Sequence, residues 1–158
     1  MDSRFIKALD AVIEDFENVK DPQRIELILD EYYFAHLYEL AKETEIELFI
    51  DYVRDLIDLT NIRTLIRLKK QGKDIKFLEE VLIPGGKIDI SNIVLALNDS
   101  IDAIVNKFEN YDVGPSVREG LESYQQTGRL SVFEIQMDDY IMNRNKDSKY
   151  VVFGPEPI

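Results

Sequence analysis

The feature that most limits the fold of this chain is a long stretch of helix-forming residues, from about Glu45 to Gln71, which ends at Gly72. At 100° per residue, the apolar side chains of its first half cluster on one side of the helix, and those of its second half fall on roughly the opposite side. The first set is Phe49, Tyr52, Val53, Leu56 and Ile57, and the second is Ile62, Leu65 and Ile66. This pattern predicts a helix whose buried face changes near Thr60 and Asn61. Such a helix must pack against two different neighbours, or it must kink at that point.

Apolar residues at helical spacing also predict helices on both sides of this segment. Before it, we predict a helix with the apolar stripe Phe5, Leu9, Val12, Ile13 and Phe16, and a second helix to residue 43 with Asp21 as N-cap and Pro22 at its first position. After it, we predict helices over residues 75–83 (ended by Pro84, Gly85 and Gly86), 92–98 (capped by Ser91), 101–108 (starting at Ser100), 116–126 (closed by Gly128) and 130–145. The one candidate strand is residues 150–153, which is too short for a sheet. The expected fold is therefore all-α, a compact bundle of about seven to eight helices in a single domain, 1–158.

The charge of the chain limits its partners. It has 31 acidic and 19 basic residues and a formal net charge of -12, and this field repels nucleic acids and anionic membranes. No apolar run approaches 18 residues, so we expect no direct membrane insertion, and the charged N-terminus does not look like a signal peptide. The absence of cysteine excludes disulfides and thiolate chemistry. We expect a cytoplasmic protein.

Catalytic motifs are missing from the sequence. The single histidine, His36, has Tyr33 three residues before it, whereas a di-iron carboxylate bundle needs Glu-x-x-His on two helices. There is also no glycine-rich phosphate loop, no serine nucleophile elbow and no zinc-ligand spacing. We expect no enzyme activity, no cofactor and no metal. A metal-dependent helical enzyme remains an alternative that elemental analysis would test.

Positive charge is concentrated in the second half of the long helix. Arg63 and Arg67 are like charges at i and i+4, which cost an isolated helix roughly 0.2–0.5 kcal/mol. Carboxylates on neighbouring helices or an external acidic surface must offset that cost, and the acidic composition favours internal pairing. Lys69, Lys70 and Lys73 lie near the helix C-terminus, where cations interact favourably with the helix dipole.

The same helix carries a family resemblance. Its pattern Asp-x-x-Asn-x-x-x-x-x-Arg-x-Lys begins at Asp58 and is followed by Gly72 and by "EEVLIPGGKID". This arrangement, with "YYFAHLYELAKE" before it, resembles the C-type subunits of the bacterial and archaeal V/A-type ATPases (d-type in eukaryotes). Members of that family are usually about twice as long and form a funnel of three similar helical domains. The resemblance therefore implies that this chain is the middle portion of a longer polypeptide.

The resemblance implies a non-catalytic rotor part. Such a part joins the central shaft, formed by D- and F-type subunits, to the membrane rotor ring, and it supports ATP-linked proton or sodium transport from the cytoplasmic face of the membrane. The alternative is a generic helical adaptor that binds a partner helix or peptide in an apolar groove. A downstream reading frame encoding another helical repeat would favour the rotor part.

Two sets of residues are the candidate sites. We expect Asp58, Asn61, Arg63 and Arg67 to be a structural motif, with the first two tying the helix to its neighbours and the two arginines holding the bundle together through carboxylates. We expect Lys69, Lys70, Lys73, Pro84, Gly85 and Gly86 to form an exposed interface with other subunits.

Overall fold

The fold is described from a computed structural model, which describes residues 21–153 and, before them, positions 3, 6, 7, 9–11, 13 and 14; side chains are described to residue 141 and at 143. Its helices are α1 (Pro22–Thr44), α2 (Glu47–Gln71), α3 (Ile75–Val81), α4 (Ile90–Leu95), a 3-10 turn (Ala96–Asn98), α5 (Ile101–Phe108), α6 (Gly114–Thr127) and α7 (Leu130–Phe153). The described positions among residues 3–14 are also helical. No strand occurs within the described part of the chain, which confirms the all-α prediction.

Local capping chemistry sets several helix ends where the sequence predicted them. At the start of α1, Asp21 precedes Pro22, and its carboxylate accepts a hydrogen bond from the Gln23 N–H. At the start of α5, the Ser100 hydroxyl accepts a hydrogen bond from the Ala103 N–H. These bonds satisfy backbone donors that a helix leaves unpaired at its start. Gly72 adopts φ 70 at the end of α2, a left-handed conformation that glycine adopts without steric cost.

Two boundaries differ from the prediction near the middle of the chain. The N-cap of α4 is Asp89 and not Ser91, because the Asp89 carboxylate accepts the Ser91 N–H at 3.1 Å and starts the helix earlier. Helix α3 ends at Val81 and not at the predicted residue 83. Leu82 is extended, and a helical conformation is sterically disfavoured at Ile83 because it precedes Pro84.

The candidate strand at residues 150–153, judged too short for a sheet, is helical. These residues are the end of α7, which continues past the predicted limit at 145. A strand needs a partner for its backbone hydrogen bonds, and the described residues offer none, whereas a helix satisfies them within its own turn. In the predicted first helix, Leu9 and Ile13 are helical and exposed, and Phe5, Val12 and Phe16 lie outside the described residues.

Helix α2 runs through the centre of the bundle and joins two apolar clusters, as its sequence pattern predicted. The first half of α2 contributes side chains to the smaller cluster, and the second half contributes side chains to the larger cluster. The residues of the first half are Tyr52, Val53, Leu56 and Ile57, and those of the second are Leu59, Ile62, Leu65, Ile66 and Leu68. The first half packs with the later part of α1, and the second half packs with Leu27 of α1, with α7 and with the short helices. Almost every side of the middle of α2 is therefore buried.

Within the part of the chain that the structure describes, no helix combines the length and the apolar composition needed to cross a membrane.

Candidate functional site

Three polar side chains of α2 hold the loop that follows α3, residues 82–88, which we call the anchored loop. Arg54, Asp58 and Asn61 are spaced at i, i+4 and i+7, so they lie on one face of the helix. Each of them makes hydrogen bonds to the loop backbone. The loop is therefore attached to the centre of the bundle by main-chain contacts that do not depend on its side chains.

Asn61 makes two reciprocal hydrogen bonds with Ile83. Its Nδ2 donates to the Ile83 carbonyl at 2.8 Å, and its Oδ1 accepts from the Ile83 N–H at 2.9 Å. Both residues are buried. A side-chain amide is suited to this position, because it offers a donor and an acceptor side by side to a backbone that has no water to bind.

Asp58 is buried and accepts two hydrogen bonds from the loop. Its Oδ2 accepts from the Lys87 N–H at 3.1 Å, and its Oδ1 accepts from the Ile88 N–H at 3.1 Å. Burial raises the pKa of Asp58 to about 6, although the backbone hydrogen bonds of Ile88 and Lys87 act in the opposite direction. Gly86 lies directly against this carboxylate, and a Cβ at Gly86 would collide with Oδ1.

Arg54 completes the attachment at the turn itself. Its Nε donates to the Gly85 carbonyl at 3.1 Å, and its Nη2 donates to the Gly86 carbonyl at 3.1 Å. Gly85 adopts φ 107, which residues with a side chain rarely adopt. Arg54 was not among the residues selected from the sequence; its position on the same polar stripe as Asp58 and Asn61 was the signal that could have identified it.

Lys87, also missed from the sequence, lies among three carboxylates. Its Nζ is 2.7 Å from Asp51, 2.8 Å from Asp55 and 2.5 Å from Asp112. Burial acts to lower the pKa of Lys87, but the hydrogen bonds to these carboxylates outweigh it and raise the pKa above its usual value. The three carboxylates are close enough to hold a cation, with ligand oxygens within 4.8 Å of one another, and the ammonium group is the cation among them. The cluster could not be predicted from the sequence because the three carboxylates are far from Lys87 along the chain.

Arg63 and Arg67 connect α2 to the helices on both sides of it. Arg63 pairs with Asp138 of α7 at 2.8 Å and with Asp30 of α1 at 3.9 Å. In the same way, Arg67 pairs with Glu134 of α7 at 2.9 Å and with Glu26 of α1 at 3.5 Å. The two arginine side chains are only 17% and 16% exposed, so they lie largely between the helices, whereas their partners Asp138 and Glu26 are more than half exposed.

The six residues expected to form an exposed interface fall into two separate places. Lys70, Lys73 and Pro84 are exposed, whereas Gly85 and Gly86 are half-buried against α2. The Lys69 ammonium, also half-buried, donates to the Leu97 carbonyl at 3.1 Å. Because a helix rises 1.5 Å per residue, Lys70 lies about 18 Å along α2 from Asp58, where the glycines pack. The structure does not bring the lysines and the Pro-Gly-Gly turn together.

Comparison with known proteins agrees with the resemblance seen in the sequence. Residues 1–158 match the sequence model of the family described as ATP synthase (C/AC39) subunit, so the chain belongs to this family. The C-type subunit of the A-type ATP synthase of Methanocaldococcus jannaschii is 27% identical over 135 residues, which are 83% of this chain and 34% of that protein. Its counterpart in Pyrococcus abyssi is 31% identical over 98 residues, covering 61% of this chain and 26% of that protein. The counterpart in Methanosphaera stadtmanae is 21% identical over 161 residues, covering 98% and 42%.

The chain spans about a third of the length of the curated relatives it matches. No solved structure matches the chain.

Proposed function

We propose that this chain is part of a non-catalytic central-stalk component of a V/A-type rotary ATPase. In this role it couples the soluble shaft of D- and F-type subunits to the membrane rotor ring, at the cytoplasmic face of the membrane, and supports ATP-linked proton or sodium transport. Membership of the ATP synthase (C/AC39) subunit family supports this role, as do the relatives named as the C-type subunits of A-type ATP synthases.

The observation that carries the proposal is the attachment of the anchored loop to α2. A rotor part must transmit torque without changing shape, and packed interiors with satisfied polar groups resist such changes. Asn61 and Asp58 make four hydrogen bonds to the backbone of the loop, three of them buried, so the loop cannot move away from the helix without leaving polar groups unpaired.

The arginine pairs support the same role on the other half of α2. Arg63 and Arg67 each reach a carboxylate on α1 and another on α7. Three long helices are thereby cross-connected at two successive turns. Relative sliding of these helices would break four ion pairs together.

Calorimetric titration of the full-length parent protein and of this chain against the purified shaft heterodimer tests the partner. We expect the parent to bind with a Kd of about 1 μM or lower, as stable specific interfaces do, and this chain to bind more weakly. If the parent binds neither the shaft nor the isolated ring, the rotor role is refuted and the helical adaptor becomes the better interpretation.

A second experiment tests rigidity directly. Complexes assembled with the parent protein carrying Asn61→Ala are expected to hydrolyse ATP but to transport fewer ions per ATP than the unmodified complex. Gln71→Ala is the matched control, because its side-chain amide is also reciprocally bonded, to Gln23, but is exposed. Equal coupling in the Asn61 variant and in the control would show that the anchored loop does not carry torque.

A further inference from the structure

Four lysines at the junction of α2 and α3 form a surface that we call the lysine edge: Lys69, Lys70, Lys73 and Lys76. None of the four makes an ion pair with a described residue. Among the described residues, the cations that do form ion pairs are distributed over the rest of the bundle; they are Arg24, Lys42, Arg63, Arg67, Lys87, Lys107 and Arg118. In a chain with 31 acidic residues, four lysines that lie close together in sequence and form no ion pair with a described residue need an explanation.

Helix stability explains only part of this arrangement. Lys69 and Lys70 lie in the last turn of α2, where a cation interacts favourably with the helix dipole. The end of that helix is already capped, however, because the Gly72 N–H and the Lys73 N–H bond to carbonyls of its last turn. Lys76 lies in the first turn of α3, where the dipole disfavours a positive charge. Its position is therefore not explained by the helix that carries it.

Aromatic rings support two of the ammonium groups. Lys70 Nζ lies 5.7 Å from the centre of the Tyr124 ring, and Lys73 Nζ lies 5.3 Å from the centre of the Phe77 ring. A ring face attracts an ammonium without occupying its hydrogen-bond donors. Both lysine side chains remain exposed, so they are restrained by the rings and still able to donate to a partner.

An open groove with an apolar floor lies beside these lysines. Its volume is about 400 Å³, and it is lined by Lys73, Asp74, Ile75, Lys76, Leu97 and Asn98. Ile75, one of the lining residues, is 38% exposed. The groove thus offers an apolar contact between two cationic side chains, while the Asp74 carboxylate caps α3 through the Phe77 N–H.

We propose that the lysine edge is the docking surface for an acidic segment of a partner protein. An apolar side chain of that segment enters the groove, and the carboxylates on either side of it pair with the lysines. Charge complementarity supports this occupant, since these lysines form no ion pair with a described residue and the carboxylates of a partner would supply one. The net charge of -12 opposes a polyanion such as RNA or an anionic lipid surface, whereas a short acidic segment meets mainly the local field. The inference does not rest on the shaft being the partner.

The test uses the isotope-labelled chain and two short blocked peptides, one built from repeats of Glu-Leu-Leu-Asp and one with Gln and Asn in place of the acidic residues. We expect the acidic peptide to shift backbone NMR signals at residues 69–76 and at Leu97, with saturation, and the neutral peptide to shift them much less. The double variant Lys70→Glu/Lys73→Glu should weaken binding about tenfold or more, because two attractions become repulsions.

The control is Lys42→Glu/Arg118→Glu, which changes the net charge equally at exposed residues on other helices. It should bind the acidic peptide as the unmodified chain does. Equal binding of both peptides, shifts centred elsewhere, or equal weakening by the control would overturn the proposal. Tighter binding at the same residues by phosphatidylserine vesicles or by an oligonucleotide would overturn it in favour of a membrane or nucleic-acid surface. Because this experiment does not use the shaft subunits, its result and the result of the test of the rotor role are independent of each other.

Discussion

Replacement of Asn61 by alanine tests whether the anchored loop depends on a single buried amide. The substitution removes both partners of Ile83, whose N–H and carbonyl are held at 2.9 Å and 2.8 Å in a buried site. A buried backbone group left without a partner costs roughly 1–3 kcal/mol. Two such groups, partly relieved by relaxation of the loop, predict a loss of about 3 kcal/mol in the free energy of unfolding.

Urea unfolding followed by far-ultraviolet circular dichroism measures this loss. For a chain of this size, 1 kcal/mol corresponds to a change of roughly 2–4 °C in Tm, so thermal unfolding of Asn61→Ala should begin well below that of the unmodified protein. The control is Gln71→Ala, which removes a reciprocal amide pair at 2.8 Å and 2.7 Å on the surface. Water replaces those bonds, and we expect a change within about 0.5 kcal/mol.

The comparison between the two variants decides the result. A loss below about 1 kcal/mol for Asn61→Ala, or a loss equal to that of the surface control, would mean that the Ile83 groups find other partners at little cost. The buried amide would then not be what holds the loop.

Three further predictions concern the same helix. Gly86→Ala should lower the free energy of unfolding by about 1–3 kcal/mol in urea titrations, because its methyl group would meet the Asp58 carboxylate; stability equal to that of the unmodified chain would contradict this packing. The pKa of Asp58 is raised from 3.8 to about 6, so the folded state binds a proton more tightly than the unfolded state does. The stability that this proton binding contributes is present at low pH and is lost as the pH rises through 6. Stability of the unmodified chain relative to Asp58→Asn should therefore increase by about 2 kcal/mol between about pH 7.5 and about pH 4.5, and a constant difference would refute the shift. Arg67→Glu should cost about 1 kcal/mol or more in thermal unfolding, since Glu134 would face a like charge, and an unchanged Tm would argue for an external role of this arginine.

Much of the candidate site was visible in the sequence as single residues but not as contacts. Asp58 and Asn61 were expected to be structural because they belong to the pattern that carries the family resemblance and lie close to the point where the buried face of α2 changes. Their partners at residues 83, 87 and 88 lie on both sides of the turn that follows α3, and no local pattern specifies how that loop packs against the helix. Arg54 lies on the same stripe of α2, but its acceptors, the carbonyls of Gly85 and Gly86, belong to the same loop and could not be assigned from the sequence.

The expected exposure of the Pro-Gly-Gly turn shows the same limit. A turn composition predicts a chain reversal, and a reversal does occur after α3. It does not predict which side of the turn faces the bundle. Gly85 and Gly86 are half-buried because the groups that receive them, Tyr38, Ile57 and Asp58, come from two earlier helices.

The sequence by itself determined the helical class, most helix ends and the two-sided burial of α2, because these follow from interactions within a few residues: apolar spacing, a capping side chain, a glycine with positive φ. Only the tertiary structure decided which charges are consumed inside the bundle and which remain at the surface. Lys87 is enclosed by Asp51, Asp55 and Asp112, whereas Lys70 has no carboxylate beside it among the described residues. The physical reason is that an ion pair depends on distance in space, and residues 25 to 75 positions apart become neighbours only after the helices have packed.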